Sequence, residues 1–409
     1  MAKMWPSNHR DFSRRFPGNP FTIHNLSSGD RRASGSDWSA NHLQAFRVLQ
    51  DQKYDVPIPE KYKEKAAKVV DGNKLLLDSL KSVTYEQLQT LSHRELRSET
   101  VFGSYFVALA DVARGVRVPD GSPRLRKNIK VPERPDFRSG EGEGFSSSPP
   151  RASSPIPTHI PTTPTPISKT SKSIPPNSSP FTTDSTEYAP SQRDGIDFED
   201  QLDRKKHEVV SANMAAQFIS TVLDVYCSRS NENIGTEFFV GPTTLYLSSP
   251  TLDCTCQDDG AAWRRVRDPS TKAWMNDEST PLLFSLEVKS FYTQSDSSGM
   301  GITSDTTLAQ QFCELLGSVM SQVKNQNYKA LTDDQRRRFL VSVHQTDMMI
   351  IGCDFSLDYL EYVYSYEQPD HLPYVVLKRS RKYDLGNPED RIDAAKAIVA
   401  LDEYLKDIP

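Results

Sequence analysis

Alternating apolar and polar residues predict a buried β-strand over residues 281–290. Every second position from Phe284 to Val288 is apolar, so these side chains share one face. Glu287 and Lys289 then lie together on the opposite face. Two charged side chains at the end of a buried strand carry a large desolvation cost unless each has a partner or a metal. This strand is therefore a candidate functional site.

Helical periodicity dominates the flanking sequence. Apolar residues recur at three- and four-residue spacing over 205–227, 306–326 and 388–406, which predicts three helices. Apolar runs at 339–344 and 348–353, separated by a short polar turn, are typical of a β-hairpin.

Four shorter runs, at 236–240, 243–247, 359–366 and 374–377, are predicted as further strands. Helices and strands thus alternate over residues 200–409. This order predicts an α/β domain with a mixed central sheet flanked by helices.

The pattern differs before residue 200. Residues 1–40 are polar and lack a sustained period, which predicts a disordered tail. Residues 41–130 carry amphipathic helical patterns without a chemical signature, so we expect a small helical module. Residues 131–199 are rich in Pro, Ser and Thr and poor in apolar side chains that would offset chain entropy, which predicts a disordered linker.

Composition restricts the possible partners and compartment. The 49 basic and 54 acidic residues give a net charge of −5, so any contact with nucleic acid has to rest on local basic clusters. The five cysteines form no disulfide framework, which favours a reducing compartment. Because the sequence has no signal-peptide pattern and no apolar run of about 20 residues, we expect a nuclear or cytoplasmic protein outside the membrane.

Carboxylates near strand ends suggest metal chemistry. Asp253 follows a short predicted strand, and Asp253 and Glu287 at adjacent strand ends would supply oxygen ligands for Mg²⁺ or Mn²⁺. Lys289 would orient the attacking water or neutralise a scissile phosphate. Gln311, on the following helix, would reach the same side of the sheet. These residues together predict metal-dependent hydrolysis of a phosphodiester.

This arrangement resembles the PD-(D/E)xK nuclease superfamily, and more closely its nuclease-like domains that are abundant in fungal genomes. The resemblance covers residues 200–409. It rests on the leading helix, on Asp253, on the strand with Glu287 and Lys289, and on the helix that carries Gln311.

The resemblance implies a restriction-endonuclease-like fold and Mg²⁺- or Mn²⁺-dependent cleavage of nucleic acid, DNA rather than RNA. It implies that Asp253, Glu287 and Lys289 form the catalytic set, with Asp253 and Glu287 as metal ligands. Gln311 would support this set, and Glu208 matches a glutamate that the first helix sometimes contributes.

Other interpretations stay open. Glu287 and Lys289 also fit a structural ion pair in an unrelated α/β domain. The nuclease fold also fits a non-catalytic scaffold, with protein partners bound by the N-terminal module or the linker. Leu252 precedes Asp253 where the family motif has proline.

A polar insertion at 257–280 carries Trp263, Trp274 and the basic run 264–267. The two indoles fit either stacking on nucleobases or anchoring of the insertion, and the basic run fits either phosphate contact or a solvated surface. His344 likewise fits either a catalytic base or a structural histidine.

Overall fold

The computed structural model describes a chain in which the N-terminal and C-terminal parts fold together. Residues 1–118 and 196–409 form one compact unit. The predicted linker spans residues 131–199. Its residues 131–197 lie outside the described residues, and its last two residues begin the first helix of the C-terminal part. The described residues are 5–17, 21–51, 58–115, 198–227, 233–277, 282–289, 294–295, 301–323 and 327–408.

In these ranges, helices occur before, between and after the strands. They are α1 (His9–Arg15), α2 (Ala40–Ala45), α3 (Glu60–Asp71), α4 (Lys74–Lys81), α5 (Tyr85–Thr90), α6 (His93–Glu99), α7 (Gly103–Ala113), α8 (Phe198–Cys227), α9 (Asp305–Val323), α10 (Leu357–Tyr364) and α11 (Pro388–Lys406). Short 3₁₀ turns occur at Ile23–Asn25, Asp30–Arg32, Gly35–Asp37 and Tyr328–Ala330. Within the described ranges, every helix is too short or too polar to span a lipid bilayer.

The strands form one large sheet and two small ones. They are β1 (Val48–Gln50), β2 (Ile234–Val240), β3 (Thr244–Ser249), β4 (Leu252–Gln257), β5 (Gly260–Arg267), β6 (Trp274–Asn276), β7 (Phe284–Lys289), β8 (Gln294–Ser295), β9 (Gly301–Ile302), β10 (Arg337–His344), β11 (Asp347–Asp354), β12 (Val375–Arg379) and β13 (Tyr383–Asp384).

The large sheet has the order β1-β12-β11-β10-β7-β5-β2, with β13 beside β11 and β6 beside β5. β7 runs parallel to β10, and β1 runs parallel to β12, whereas the other pairs are antiparallel. The mixed sheet flanked by helices confirms the predicted α/β class. β3 and β4 form a separate two-stranded sheet.

The large sheet separates two hydrophobic cores. On one face Phe284, Leu286 and Val341 join a core with α8, α11 and the helices α3 to α7. On the other face Leu340 joins a core with α9, α10 and the N-terminal residues. Because Glu287 alternates with Leu286 along β7, it lies on the second face. Helix α9 therefore covers the strand face that carries Glu287.

The prediction of a disordered tail over residues 1–40 is wrong for its described part. Trp38 is fully buried, stacks on His42 and Phe46, and contacts the ring of Phe312 in α9. Irregular turns and 3₁₀ helices bury isolated aromatic residues without producing a hydrophobic period, so the sequence pattern gives no signal.

The predicted separate helical module at 41–130 is also wrong as a domain. Phe102 and Tyr105 of α7 pack against Phe218 of α8, with ring centroids 6.4 and 5.2 Å apart. The Tyr105 hydroxyl donates a hydrogen bond of 3.2 Å to the Leu385 carbonyl. β1 pairs with β12, so the large sheet itself includes N-terminal residues. The domain boundary predicted at residue 200 therefore divides a continuous core.

Elements in the C-terminal half follow the prediction except at three places: the predicted polar insertion at 257–280 contains β5 and β6, Asp253 lies near the start of β4 and not at the end of a strand, and residues 359–366 are mostly helical. The three predicted helices and the β10–β11 hairpin are present, but α10 occupies most of the predicted strand. The Ser356 hydroxyl caps α10 by accepting the Tyr359 N–H. Tyr362 and Val363 are buried three and four positions after the buried Tyr359, which is the spacing of a helix. The aromatic run reflects burial rather than strand formation.

Candidate active site

The end of β7 gathers three charged side chains. The Lys289 ammonium forms an ion pair with Glu287 Oε1 and lies 3.3 Å from Oε1 of Glu208 on α8. The Glu287 side chain is 1% exposed, whereas those of Lys289 and Glu208 are 24% and 34% exposed. The site is thus buried at Glu287 and opens toward solvent at Lys289.

An acidic turn before β5 lies directly beside this strand. The Asp259 N–H donates to the Leu286 carbonyl at 2.8 Å, and the Val288 N–H donates to Asp259 Oδ2 at 2.7 Å. Asp258 is buried, and its Oδ1 accepts the Thr243 N–H at 2.8 Å. The Asp259 carboxylate therefore contacts β7 directly, and the Asp258 carboxylate lies in the same turn.

The predicted pairing of Asp253 with Glu287 at adjacent strand ends is wrong. Asp253 lies on the exposed face of β4, which pairs with β3 and not with β7. Its carboxylate lines a separate groove that also includes Arg32 and Tyr246. The chain turns after β4 and returns to the large sheet at Gly260, which places Asp259, and not Asp253, beside β7.

Helix α9 brings two more polar residues to the same face. Gln311 is fully buried, donates to Ser342 Oγ at 2.8 Å and accepts from Arg379 Nη2 at 3.1 Å. Because Ser342 is the register partner of Glu287, Gln311 lies one side chain away from that carboxylate. Gln311 thus holds the Ser342 and Arg379 side chains in place through two hydrogen bonds.

Glu314, one turn further along α9, is fully buried and hydrogen-bonded to Glu287. A hydrogen bond between two carboxyl groups requires that one of them carries a proton. Burial, together with the charge of Glu287, raises the pKa of Glu314 well above its usual range, which favours the protonated form of this pair.

Burial also dominates the electrostatics of the other acids. It raises the pKa of Glu287 to about 7, with the attraction of Lys289 opposing the shift and the charge of Asp259 adding to it. It raises the pKa of Asp258 to about 7 and raises that of Asp259. Burial alone would lower the pKa of Lys289, but Glu287 and Glu208 outweigh it and raise that pKa. The ammonium is therefore held charged among acids that resist ionisation.

His344 is the register partner of Lys289 on β10 and is 2% exposed. The same strand thus carries Ser342 beside Glu287 and His344 beside Lys289. The charged end of β7 is continuous with a polar strip on its parallel neighbour.

Sequence reasoning missed Asp258, Asp259 and Glu314. Two features of the sequence could have indicated them. Asp258 and Asp259 stand with Gly260 in an Asp-Asp-Gly turn, and Glu314 lies three positions after Gln311 on an otherwise apolar helix face. Glu208, which the resemblance suggested, does lie beside Lys289.

No protein-family model and no curated protein sequence matches this chain.

Proposed function

We propose that the chain is a metal-dependent nuclease that hydrolyses phosphodiester bonds, in DNA rather than RNA. The observation that carries this proposal is the convergence of Asp259, Glu287 and Lys289 at the end of β7. Lys289 contacts two glutamates, and Asp259 is hydrogen-bonded to the backbone on both sides of Glu287.

The donor set fits Mg²⁺ or Mn²⁺. Asp259 and Glu287 supply oxygen ligands, and Mg²⁺ is usually held by one or two carboxylates together with water and substrate phosphate. Asp258 and Glu314 are buried carboxyl groups whose charges interact with that of Glu287, and a nearby cation would relieve the cost of ionising this cluster. Within the described ranges no three His, Cys, Asp or Glu side chains form a metal-binding group, so substrate and water would complete the coordination.

Each residue has a definite task in this scheme. When bound, the metal ion activates water for attack and neutralises charge that develops on the phosphate. Lys289 donates to the attacking water or to a phosphate oxygen, and Glu208 holds its ammonium in place. Gln311 holds Ser342 in place next to Glu287 and is itself held by Arg379.

The order of elements around the site supports the restriction-endonuclease-like arrangement. Helix α8 precedes the antiparallel strands β5 and β7, and α9 then crosses over to β10, which runs parallel to β7. The charged residues lie where the two parallel strands end. This arrangement agrees with the resemblance to PD-(D/E)xK nucleases, with Asp259 in place of Asp253.

The alternative is a catalytically inactive protein that uses the same fold as an interaction scaffold. It is favoured by the nearly complete burial of Glu287 and its direct ion pair with Lys289, since such a pair is also a stable structural element. A scaffold would need no metal, so the response to metal separates the two functions.

A cleavage assay with the full chain tests the proposal. Supercoiled plasmid and single-stranded DNA would be incubated with Mg²⁺ or Mn²⁺, next to Glu287→Gln and Lys289→Met variants. We expect metal-dependent cutting by the native chain, its loss in both variants, and a metal-induced rise in Tm. Absence of cutting together with an unchanged Tm would favour the scaffold, and cutting that survives in both variants would exclude this site.

A further inference from the structure

An exposed aromatic groove lies beside the candidate active site. It has a volume of about 370 Å³ and is lined by Phe239 and Val240 at the end of β2, the following loop, and Trp263 of β5. Phe239 is 46% and Val240 59% exposed. A groove of this size is within the range that accepts small organic groups.

Phe239 shares a sheet face with Glu287. Phe239 is the register partner of Ala261, and Ala261 is the register partner of Ser285, which lies two residues before Glu287. Paired residues point to the same face, as do residues two apart on one strand. With about 4.8 Å between strands and about 3.3 Å per residue, the Cα atoms of Phe239 and Glu287 are roughly 12 Å apart.

The groove is attached to the acidic turn by backbone hydrogen bonds. The Gly241 N–H donates to the Asp259 carbonyl at 3.3 Å, and Thr243 N–H donates to Asp258 Oδ1 at 2.8 Å. Gly241 has a φ of +132°, a conformation that favours glycine. The loop that forms the groove floor is therefore held in a fixed position relative to Asp259.

Basic and aromatic side chains continue the same face away from the site. Trp263, Arg265 and Arg267 alternate along β5, and Trp274 of β6 is the register partner of Arg267. The Arg267 guanidinium lies 5.8 Å from the Trp274 ring, which is 44% exposed. Arg265 is paired with Glu237 at 2.9 Å, and the exposed Arg267 adds a second guanidinium to this face.

We infer that this face binds a single-stranded nucleic-acid segment, with a base stacked in the groove between Phe239 and Trp263. Phe239 is the diagonal neighbour of Trp263 across two antiparallel strands. Alternating exposed rings and cations are the arrangement by which proteins bind single strands without reading sequence. Bases of an intact duplex are stacked internally and cannot enter such a groove, so the occupant is unpaired.

This inference rests on the proposed function, because it assigns a strand preference to the same site. A bound strand would pass from Trp274 along β5 to the Phe239 groove and reach the carboxylates roughly 12 Å further on, a distance of a few nucleotides. The scissile phosphate would then lie next to an unpaired base.

Binding of a fluorescently labelled oligothymidine, measured by anisotropy with Ca²⁺ replacing Mg²⁺, tests the inference on the full chain. A labelled duplex serves as the second probe. The variants are Phe239→Ala and Trp274→Ala, whose rings are largely exposed, and the control is Tyr366→Ala, an 85% exposed ring on the segment after α10. In addition, the quenching of tryptophan fluorescence by oligothymidine would be measured both in the native chain and in the Trp263→Phe variant.

We expect each ring deletion to weaken oligothymidine binding by roughly 5- to 150-fold, with duplex affinity and the Tyr366→Ala control unchanged. Quenching would be reduced in Trp263→Phe. The inference is overturned if Phe239→Ala binds oligothymidine as tightly as the native chain, or if both probes lose affinity equally. It is also overturned if the substitutions change the oligomeric state and not binding, because the exposed β2 end would then be a self-association surface.

The two proposals fail in different ways. Ring-dependent oligothymidine binding by a chain that does not cut DNA would refute the nuclease and leave the groove in place. Cutting that depends on Glu287, with binding unaffected by the ring deletions, would refute the groove and leave the nuclease in place.

Discussion

The Val288 N–H donates a 2.7 Å hydrogen bond to Oδ2 of Asp259, which clamps the acidic turn onto the strand that carries Glu287. The Asp259 N–H donates in turn to the Leu286 carbonyl. These two bonds flank Glu287 along β7, so the Asp259 carboxylate is positioned by backbone geometry. Metal ligands and catalytic groups work best when they are held in this way.

Removing Lys289 should take away the group that stabilises the ionised form of the buried Glu287. Lys289→Met is expected to lower the free energy of unfolding by about 3 kcal/mol in metal-free buffer, because Glu287 is almost fully buried. Adding Glu287→Gln should recover part of this loss. Urea unfolding measures both effects.

The matched control is Lys378→Met, which breaks a surface pair with Asp354 whose side chains are 35% and 41% exposed. We expect it to cost less than about 1 kcal/mol. Equal losses for Lys289→Met and Lys378→Met would show that Glu287 does not depend on Lys289.

The N-terminal residues should be required for stability. Trp38→Ala is expected to cost about 3–5 kcal/mol, because the fully buried indole packs against Phe46 and Phe312. Thermal unfolding of this variant would be compared with that of Tyr366→Ala, which removes an exposed ring. A Trp38→Ala protein as stable as the control would refute the N-terminal packing.

Low pH should destabilise the packing around Trp38 through protonation of His42. The Ser39 N–H donates to His42 Nδ1 at 3.1 Å, and with Nε2 donating to the Asp30 carbonyl the ring is neutral. Burial lowers the pKa of His42 below 6.5, its ordinary value. Since the unfolded chain then binds the proton more tightly, the free energy of unfolding falls as the pH drops below about 6.5.

In His42→Asn the Oδ1 atom can accept the same N–H without titrating. We expect this variant to lose less stability than the native chain between pH 7 and pH 5, as measured by urea unfolding. Identical pH dependence in the two proteins would contradict a role for His42.

A cut between the two parts of the chain should leave them associated. A protease recognition site inserted within residues 131–199 would separate the helices α3 to α7 from α8, but Phe102 and Tyr105 still pack against Phe218. After complete cleavage, the two pieces are expected to co-elute in size-exclusion chromatography. Separate elution would show that the N-terminal helices form an independent module.

The C-terminal elements were predictable because their periodicity is strong. Alternation at Phe284 and Leu286 identified β7, and the apolar stripes of α9 and α11 gave nearly exact helices. The placement of Glu287 and Lys289 on one strand face follows from the same alternation. Local pattern was sufficient for these elements, but not for α10 or β5.

Other features depend on contacts that are distant in sequence. Asp259 falls in the stretch predicted as a polar insertion, and only the pairing of β5 with β7 shows that it, and not Asp253, lies beside the strand of Glu287. Trp38 is buried by Phe312, which lies far along the chain. Periodicity contains no information about such pairings, so the second acid and the N-terminal packing needed the structure.

The central claim is that Asp259, and not Asp253, completes the site with Glu287 and Lys289. The most direct measurement is the rate at which the full chain nicks supercoiled plasmid with Mn²⁺, compared between Asp259→Asn and Asp253→Asn. The account predicts a loss of about 100-fold or more for Asp259→Asn and the native rate for Asp253→Asn. Full activity in Asp259→Asn, loss in Asp253→Asn, or no nicking by the native chain would contradict it.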